Sequence, residues 1–340
     1  MAAKLAVQLV TFNSREDLPG CLTSLAAQTF RDFEIHVLDN ASADGTRAFL
    51  KEHRAELTVL EYAPCNLGFA AAHNRLLAGH AAEYVLFLNP DTELAPDCLE
   101  RGVDRLSRHP ECGSLSPKLW RLVVTDAERV RTHVLDSTGI YWLRNQRHLD
   151  RGSGEPDTGQ YDRPAYVFGA TGAASFYRRT CLADVAVDGE ILDEDFFAYR
   201  EDAELAWRAA WRGWRCVFDP AVTAWHVRRV LPENRRRTHP DINLHSVKNR
   251  WLLRFKDMPF SMYLRWFVPI SLRDLAVVVY VPLCEPRSLM AFVSIARLLP
   301  RFLYKRRMVF ARATVSRQEI EQWFYRPEMP FATGAENHAE

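Results

Sequence analysis

The sequence predicts an α/β fold with a Rossmann-like, mostly parallel central sheet flanked by helices and a helical extension at the C-terminal end. Compact apolar runs typical of buried strands occur at 4–11, 33–38, 57–62 and 84–88. Segments with apolar residues at helical spacing separate these runs. Strand–helix units that repeat in this way build parallel sheets with right-handed crossovers.

Composition narrows the class of protein. The chain has 340 residues, enough for one large domain with an appendage or for two modest domains. A formal net charge of +1 argues against a nucleic-acid-binding protein. The seven cysteines form no Cys-x-x-Cys pair, which fits a reducing compartment. No basic segment followed by an apolar one opens the chain, so we expect no secretory signal and a cytoplasmic protein.

Polar residues follow the predicted strands where each strand ends. Thr11 and Asn13 follow the first, Asp39 the second, Asn66 the third and Asp91 the fourth. In open α/β sheets this edge binds ligands, so these residues are predicted to line a nucleotide site. Each of the two aspartates could instead be a structural cap for the loop or helix that follows it.

A carboxylate such as Asp39 can accept the imide N–H of uracil or thymine, and it cannot distinguish the two bases. The chain contains neither Gly-x-Gly-x-x-Gly nor a P-loop, so no glycine-rich loop is available for phosphates. A diphosphate would then need a metal, and Asp91 is a suitable ligand.

Several of these segments together resemble the signature of family 2 glycosyltransferases, which are inverting enzymes of the GT-A fold that use nucleotide-diphosphate sugars. The matching segments are Thr11-Phe12-Asn13, Asp39, Asn66-Leu67-Gly68-Phe69 through Asn74, and Asn89-Pro90-Asp91. The resemblance implies that Gly68, Asn74 and Asn89 join the nucleotide-sugar site. The family's usual metal motif is Asp-x-Asp, and Asn89 replaces its first carboxylate, as in the rhamnosyltransferase branch.

The resemblance extends to the acidic tract at 193–202 and to the strand at 217–226. It implies that Asp202 is the general base, that Glu201 orients it or contacts the acceptor, and that Gly172 borders the sugar and acceptor pocket. It also implies that His226 joins Asp91 in binding magnesium or manganese. Acids in a first helical turn could instead complement the helix dipole, and a lone histidine beside a tryptophan could simply be packed.

The last third of the chain differs in character. Residues 249–317 contain about thirteen basic residues and three acids. Leu289, Phe292 and Phe302 lie on one predicted helical face, with Arg301 and Lys305 near the other. Such a helix could lie on an anionic membrane surface, or it could pack on the catalytic domain or on a second copy in a homodimer. Arg273, Asp274 and Pro282 interrupt the apolar stretch, which argues against a transmembrane helix.

The sequence therefore predicts a catalytic domain at 1–230 and a basic helical region at 231–340. We expect a metal-dependent inverting glycosyltransferase that transfers L-rhamnose from dTDP-L-rhamnose to a cell-surface glycan or a lipid-linked acceptor. It would be cytoplasmic, with possible peripheral association with the inner face of the plasma membrane. The alternatives are a UDP-hexose donor, a nucleotidyltransferase, and an inactive glycan-binding or scaffold protein. A nucleotidyltransferase would want a glycine-rich basic loop after the first strand, which Asn13-Ser14-Arg15 does not supply.

Overall fold

The computed structural model describes residues 3–125, 128–229 and 240–331. Its strands are β1 Leu5–Thr11, β2 Phe33–Asp39, β3 Val59–Tyr62, β4 Tyr84–Leu88, β5 Thr92–Leu94, β6 Cys112–Val124, β7 Arg129–Ser137, β8 Ile140–Trp142, β9 His148–Asp150, β10 Ala165–Val167, β11 Ala174–Arg178, β12 Arg215–His226 and β13 Met329–Pro330. Its α-helices are α1 Leu18–Ala26, α2 Thr46–Glu52, α3 Phe69–Ala78, α4 Cys98–Arg108, α5 Arg179–Asp184, α6 Glu201–Trp211, α7 Pro240–Asp257, α8 Phe260–Arg265, α9 Phe267–Cys284, α10 Met290–Ala311 and α11 Arg317–Gln322.

The first four long strands form the parallel half of the central sheet. Their order is β4, β1, β2 and β3, and all three pairings are parallel. The apolar runs are strands because both of their faces are covered: β1 and β4 are almost entirely buried. The carboxyl ends meet at one edge, where Thr11 pairs with Asp39 and Asp39 with Tyr62. The predicted parallel arrangement is confirmed for this half.

The second half of the sheet is mixed and brings distant segments to the same edge. β11 runs antiparallel to β4, and β6 lies between β11 and β12. Strand β12 also pairs with the short β5, which places His226 opposite Thr92. Because Thr92 follows Asp91, this pairing is what brings His226 to the end of β4.

The C-terminal helices pack against the rest of the protein through an aromatic and aliphatic core. That core contains Trp207 of α6, Leu252 of α7, Phe302 of α10, and Trp266, which lies between α8 and α9. The boundary predicted at 230/231 falls at residues outside the described part of the chain, and the two-part division stays a prediction.

One expectation for the C-terminal region is wrong, and another stays a prediction. Lys305 is not on an exposed basic face: it is fully buried and pairs with Glu190, Asp193 and Asp195. Residues Phe267–Cys284 form one uninterrupted helix with a mean hydropathy of 1.7, long and apolar enough to cross a membrane by length and composition. Arg273, Asp274 and Pro282 lie within this helix, and its failure to span a membrane stays a prediction.

Candidate active site

A cleft runs along the carboxyl edge of the sheet. Its main cavity has a volume of about 550 Å³, and a side cavity of about 290 Å³ opens beside it. The two share Phe69, Asn89, Asp91, Ala198 and Arg229 in their walls. A third cavity, of about 620 Å³, shares Asn13, Asp17 and Arg229 with the side cavity. The cleft is therefore long enough to hold an extended, multi-part ligand.

Asp91 and His226 meet in the wall of the main cavity. His226 Nε2 lies 3.4 Å from Asp91 Oδ1, and the N–H of Val227 donates to the Asp91 carbonyl at 3.0 Å. The other imidazole nitrogen, Nδ1, lies 2.7 Å from Oδ2 of Asp136, whose side chain is almost completely buried. Asp91, His226 and Asp136 thus form a chain of carboxylate, imidazole and carboxylate along the wall of the main cavity.

Electrostatics explain how this group is held together. Burial opposes a charge on His226, but Asp91 and Asp136 outweigh burial and raise its pKa to about 10. Burial would raise the pKa of Asp136, but the hydrogen bond and charge of His226, with Arg228, hold that pKa below its usual range. A divalent cation would therefore have to displace the Nε2 proton in order to bind.

The chemistry of these donors fits a divalent cation. Asp91 Oδ1 is buried without a hydrogen-bond partner, and an imidazole nitrogen faces it. Asp136 is placed to fix the ring through Nδ1, as carboxylates commonly do behind metal-binding histidines. No group of three or more His, Cys, Asp and Glu suited to a metal occurs in the described residues, so the protein would supply two ligands.

Arg228 links this group to the other side of the cavity. Its guanidinium donates to the backbone and side chain of Asp136 at 3.0 Å each, and it also donates to Asp150. Asp150 and His148 belong to the β8–β9 hairpin and line the main cavity. Asp150 in turn helps to raise the pKa of Asp202.

Glu201 and Asp202 begin α6 and face the same cavity. Asp202 accepts hydrogen bonds from the N–H groups of Gly172 at 3.0 Å and Ala203 at 2.7 Å. Burial nevertheless raises the pKa of Asp202 to about 6. Burial and the neighbouring Asp202 raise the pKa of Glu201 to about 8, and its Oε2 has no hydrogen-bond partner. Near neutral pH Asp202 is therefore the ionised member of the pair, and it can accept a proton.

The loop before α6 is strained. Phe197, Tyr199 and Arg200 all have positive φ, at 66°, 69° and 73°. For residues with a side chain each such conformation costs on the order of 1–2 kcal/mol. Strain of this kind persists only where surrounding contacts determine the backbone.

Asn249 of α7 supplies those contacts. Its side-chain amide is fully buried and donates to the carbonyls of Phe196, Ala198 and Tyr199 at 2.9, 2.9 and 2.7 Å. Lys248 donates to the carbonyl of Asp195 at 2.6 Å. A residue from the C-terminal helices thus fixes the loop that presents Glu201 and Asp202.

The same loop closes the N-terminus of α3. The carbonyl of Phe197 accepts from the N–H groups of Phe69 at 2.6 Å and Ala70 at 3.2 Å. Gly68, with φ of +84°, allows this approach, since a Cβ at that position would lie 2.5 Å from the Phe197 carbonyl oxygen. Gly68 therefore joins the sheet edge to the acidic loop and also lines the side cavity.

Asn13 and Asn66 also line the side cavity and shape its loops. Asn13, at φ 53°, accepts from the N–H of Ala43 at 2.9 Å. Asn66 accepts from the side chain of Asn40 and from the N–H of Gly68, both at 2.9 Å. Asn40, which sequence reasoning did not single out, holds this turn by also accepting from the N–H of Leu67 at 2.7 Å.

Three predicted site residues, Thr11, Asp39 and Asn74, do not line these cavities. Asp39 is fully buried, and its carboxylate accepts from Thr11, the N–H of Ser42 and Arg47 at 3.2, 3.2 and 2.6 Å. This is the arrangement that the loop-cap interpretation expects, and contact with a base stays a prediction. The side-chain amide of Asn74 is used by the backbone of Leu192 and by Glu194, so it ties α3 to the acidic tract rather than facing the cleft.

Sequence reasoning missed Asp136, His148 and Asp150. The signal for Asp136 was present: Thr132-His133-Val134-Leu135-Asp136 repeats the pattern of Ile35-His36-Val37-Leu38-Asp39, an apolar strand that ends in an acid. His148 and Asp150 lie in a short hairpin, and no local pattern marks them.

Comparison with known proteins identifies the family. The sequence profile described as "Glycosyl transferase family 2" matches residues 7–181, slightly more than half of the chain. An N-acetylglucosaminyl-diphospho-decaprenol L-rhamnosyltransferase of Mycobacterium tuberculosis is 28% identical over 251 residues, which cover 66% of this chain and 76% of the relative.

Solved structures share the fold. TarS of S. aureus superposes with a TM-score of 0.54 at 16% identity, covering 94% of this chain and 54% of TarS, so this chain spans about half of TarS. A mannosyltransferase of Pyrobaculum calidifontis, solved in complex with GDP-Man and Mn²⁺, superposes with a TM-score of 0.51 at 17% identity, covering 96% of this chain and 84% of that one. The predicted GT-A fold is confirmed. With the profile match, these findings place the chain in glycosyltransferase family 2.

Proposed function

We propose that this glycosyltransferase is a metal-dependent, inverting rhamnosyltransferase that uses dTDP-L-rhamnose and acts on a glycan or lipid-linked acceptor. The observation that carries the proposal is the composition of the main cavity. One wall contains a carboxylate and an imidazole suited to a cation, Asp91 and His226. Another contains Asp202, a carboxylate whose raised pKa suits it to accept a proton.

The reaction needs one base and no enzyme nucleophile. The acceptor hydroxyl oxygen attacks C1 of the sugar, and its proton passes to the Asp202 carboxylate. The bond between C1 and the diphosphate oxygen breaks, and its electron pair leaves with the nucleoside diphosphate. Attack from the face opposite the leaving group inverts C1, so a β-linked donor gives an α-linked rhamnoside.

Glu201 supports this role without taking the proton. Its own pKa is raised to about 8, so it is largely protonated at neutral pH and adds little negative charge beside Asp202. The N–H of Gly172 fixes the orientation of Asp202. Glu201 is then available to donate a hydrogen bond to the acceptor.

The leaving diphosphate has to be neutralised. Asp91 and His226 would hold magnesium or manganese, and a cation there offsets the charge of the departing diphosphate. Arg229 lines all three cavities and pairs with Asp17 at 2.6 Å, and we propose that its guanidinium also contacts these phosphates. The sequence has three further arginines shortly after this position, Arg235, Arg236 and Arg237, which lie outside the described residues.

Two observations support the choice of donor. Asn89 replaces the first carboxylate of the family's metal motif, as in the rhamnosyltransferase branch. The mycobacterial relative is named as an L-rhamnosyltransferase. The acceptor named for that relative is lipid-linked, which favours transfer at the cytoplasmic face of a membrane in this protein too.

The test is donor binding and donor hydrolysis with dTDP-rhamnose, UDP-glucose, UDP-galactose, UDP-GlcNAc and GDP-mannose, each with and without Mn²⁺. Wild type is compared with Asp202→Asn and with Glu83→Gln, which changes an exposed acid outside the cleft. We expect metal-dependent binding that is tightest for dTDP-rhamnose. Turnover should be lost only in Asp202→Asn.

Each other result assigns a different function. Tightest binding of a UDP-sugar would replace the rhamnose donor while leaving the reaction class intact. Binding without turnover on any acceptor would favour an inactive glycan-binding or scaffold protein. Full activity in EDTA would remove the metal from the proposal.

A further inference from the structure

The helices α8 to α10 expose an unusual amount of apolar surface. Of the twenty large hydrophobic side chains that are exposed in the described residues, fourteen lie between positions 260 and 304. Scattered single residues of this kind need no explanation, but a contiguous group on neighbouring helices indicates an interaction surface.

Helix α9 contributes the central part of this exposed apolar surface, and it does so with one side of the helix only. Ile270 and Val281 are fully buried against the protein, and Asp274, on the same side, pairs with Arg250 and Arg254 of α7. The opposite side is defined here as the apolar face: Val268, Leu272, Leu275, Val279 and Leu283, exposed by 64, 64, 60, 51 and 76%. The positions of both sets follow the helical period, so one stripe faces the protein and the other faces outward.

This arrangement bears on how α9 could meet a membrane. A spanning helix would need lipid or other spanning helices around its whole circumference. Here Ile270 near one end, Asp274 in the middle and Val281 near the other end all contact the body of the protein. The helix is therefore held along its length against the protein surface, and only one side is available.

The charges around the apolar face have one sign. Between residues 258 and 312 the chain has two acids, Asp274 and Glu285, and nine basic residues. Asp274 pairs with α7, and Glu285 is buried. Arg265, Arg287, Arg297 and Arg307 are exposed. No exposed acid lies in this segment.

We propose that the apolar face docks in the plane of a bilayer that contains anionic lipid, with α9 parallel to the membrane and the exposed arginines at the headgroups. Apolar area supplies the insertion, and each arginine near an anionic surface adds about 1 kcal/mol of attraction. A second copy of the chain fits less well. A two-fold dimer on this face would bring the same exposed arginines together around the interface, and of these four only Arg265 has an acid nearby in the described residues, Glu321 at 3.8 Å.

The inference is independent of the sugar donor and can be tested with the full chain. Co-sedimentation is measured with vesicles of phosphatidylcholine alone and of phosphatidylcholine mixed with phosphatidylglycerol. We expect binding to the mixed vesicles and much weaker binding to the neutral ones. Salt raised to about 0.5 M, which shortens the Debye length to a few ångströms, should weaken it.

Two sets of substitutions separate the contributions. Arg265→Gln, Arg287→Gln and Arg297→Gln together should lower vesicle partition about a hundredfold. Leu272→Ser, Leu275→Ser and Val279→Ser together should also abolish sedimentation. The matched control is Val123→Ser, Val124→Ser and Val130→Ser, three exposed valines of the β6–β7 hairpin. That control should bind vesicles like wild type, and all variants should keep donor hydrolysis.

A fluorophore gives a second readout. Cys284, at the end of α9, and Cys65 are the exposed cysteines in the described residues. A polarity-sensitive dye on Cys284, in a Cys65→Ser background, should shift to the blue with mixed vesicles. The same dye on Cys65, with Cys284→Ser, should not.

Three results would overturn the proposal. One is equal binding to neutral and anionic vesicles with no effect of the arginine substitutions. Another is resistance to extraction by alkaline carbonate, which would mean that α9 spans the bilayer. The third is a wild-type dimer in analytical ultracentrifugation that the serine set converts to monomers, with no vesicle binding.

Discussion

Helix α6 carries two kinds of buried acid within four residues. Glu201 and Asp202, at its first turn, face the cavity, and their pKa values are raised to about 8 and about 6. Glu204 faces the C-terminal helices. Its carboxylate accepts from Arg208, one turn further along α6, at 2.7 and 2.6 Å, and pairs with Lys256 of α7 at 2.6 Å. Burial opposes the charge of Glu204 as well, but Arg208 and Lys256 outweigh burial and hold its pKa below its usual range.

The two sets of acids differ in whether bases pair with them. Around Glu204 four acids (Glu190, Asp193, Asp195 and Glu204) pair with four bases (Arg208, Lys256, Arg301 and Lys305), while a fifth acid, Asp257, is buried with no hydrogen-bond partner for its carboxylate and has a raised pKa. Around Glu201 and Asp202 no such balance exists, and Glu201 Oε2 lacks a partner. Buried acids without a paired base destabilise a fold, and those that also line a cleft are candidates for chemistry. Glu201 and Asp202 line the main cavity, whereas Asp257 does not.

The largest effect should come from Asp202→Asn. Loss of the base should lower kcat by about 10²–10⁴-fold. Because the raised pKa of Asp202 marks an unfavourable burial, the neutral amide should not reduce thermal stability at pH 8. The two measurements are single-turnover transfer and calorimetry on the same preparation. A variant that loses activity because it unfolds would contradict the assignment.

The acids that pair with bases around Glu204 should behave differently, because removal of a paired base should lower the free energy of unfolding. Lys256→Met leaves Asp193 and Glu204 without their shared partner and should cost about 3–5 kcal/mol in free energy of unfolding. Arg301→Met removes a partner of the same network that is 44% exposed, and it should cost less than about 1 kcal/mol. Denaturant titration compares the two. Equal losses would mean that burial does not decide the cost.

The loop at 197–200 lies between the paired acids at 193–195 and the cavity acids Glu201 and Asp202. Substitution of Asn249, which binds the loop backbone, disturbs the loop without removing any of these acids. In Asn249→Asp the side chain keeps its shape but cannot donate to three carbonyls, at a cost of about 1–3 kcal/mol. We expect kcat to fall by a larger factor than donor KM rises, because the loop leads directly into Asp202, whereas its backbone contacts on the donor side are the bonds from Phe69 and Ala70 to the Phe197 carbonyl. Asn145→Asp is the control, since Asn145 only accepts a hydrogen bond, from the N–H of Arg147. A fall in stability with unchanged kcat would rule out a positioning role.

The smallest expected effect is on how the free energy of unfolding depends on pH. Glu201 binds its proton more tightly in the folded than in the unfolded protein, so stability falls as pH rises from about 4.5 to about 8. Glu201→Gln should therefore stabilise the protein at pH 9 by at least about 1 kcal/mol and change little at pH 4.5. Asp193 and Glu204 have lowered pKa values, so their contribution is lost only in more acidic solution. Melting temperatures across pH measure both trends.

Local pattern was enough for the parallel half of the sheet. Tyr84–Leu88 was predicted with its observed bounds, because a buried strand is a short apolar run that a turn ends. The same reasoning placed Asp91 at the strand end, where it lines the cleft. These features depend on residues adjacent in sequence.

Pairing across long distances could not be predicted in the same way. Lys305 follows a helical period that places it with exposed arginines, yet it contacts acids more than one hundred positions earlier. His148, Asp150 and Arg228 come together only because a hairpin folds over the end of β12. The sequence of each segment carries no sign of its partner.

The hydrogen bonds from Asn249 to the loop at 196–199 limit how the C-terminal helices can be exchanged between related glycosyltransferases. The catalytic acids are presented by one part of the chain and kept in place by another, through a side chain on α7 and lysines on α7 and α10. Exchange of the C-terminal helices between relatives, as a means to retarget the enzyme, would remove these supports together. The helices and the acidic loop must therefore be inherited, or engineered, as a single unit.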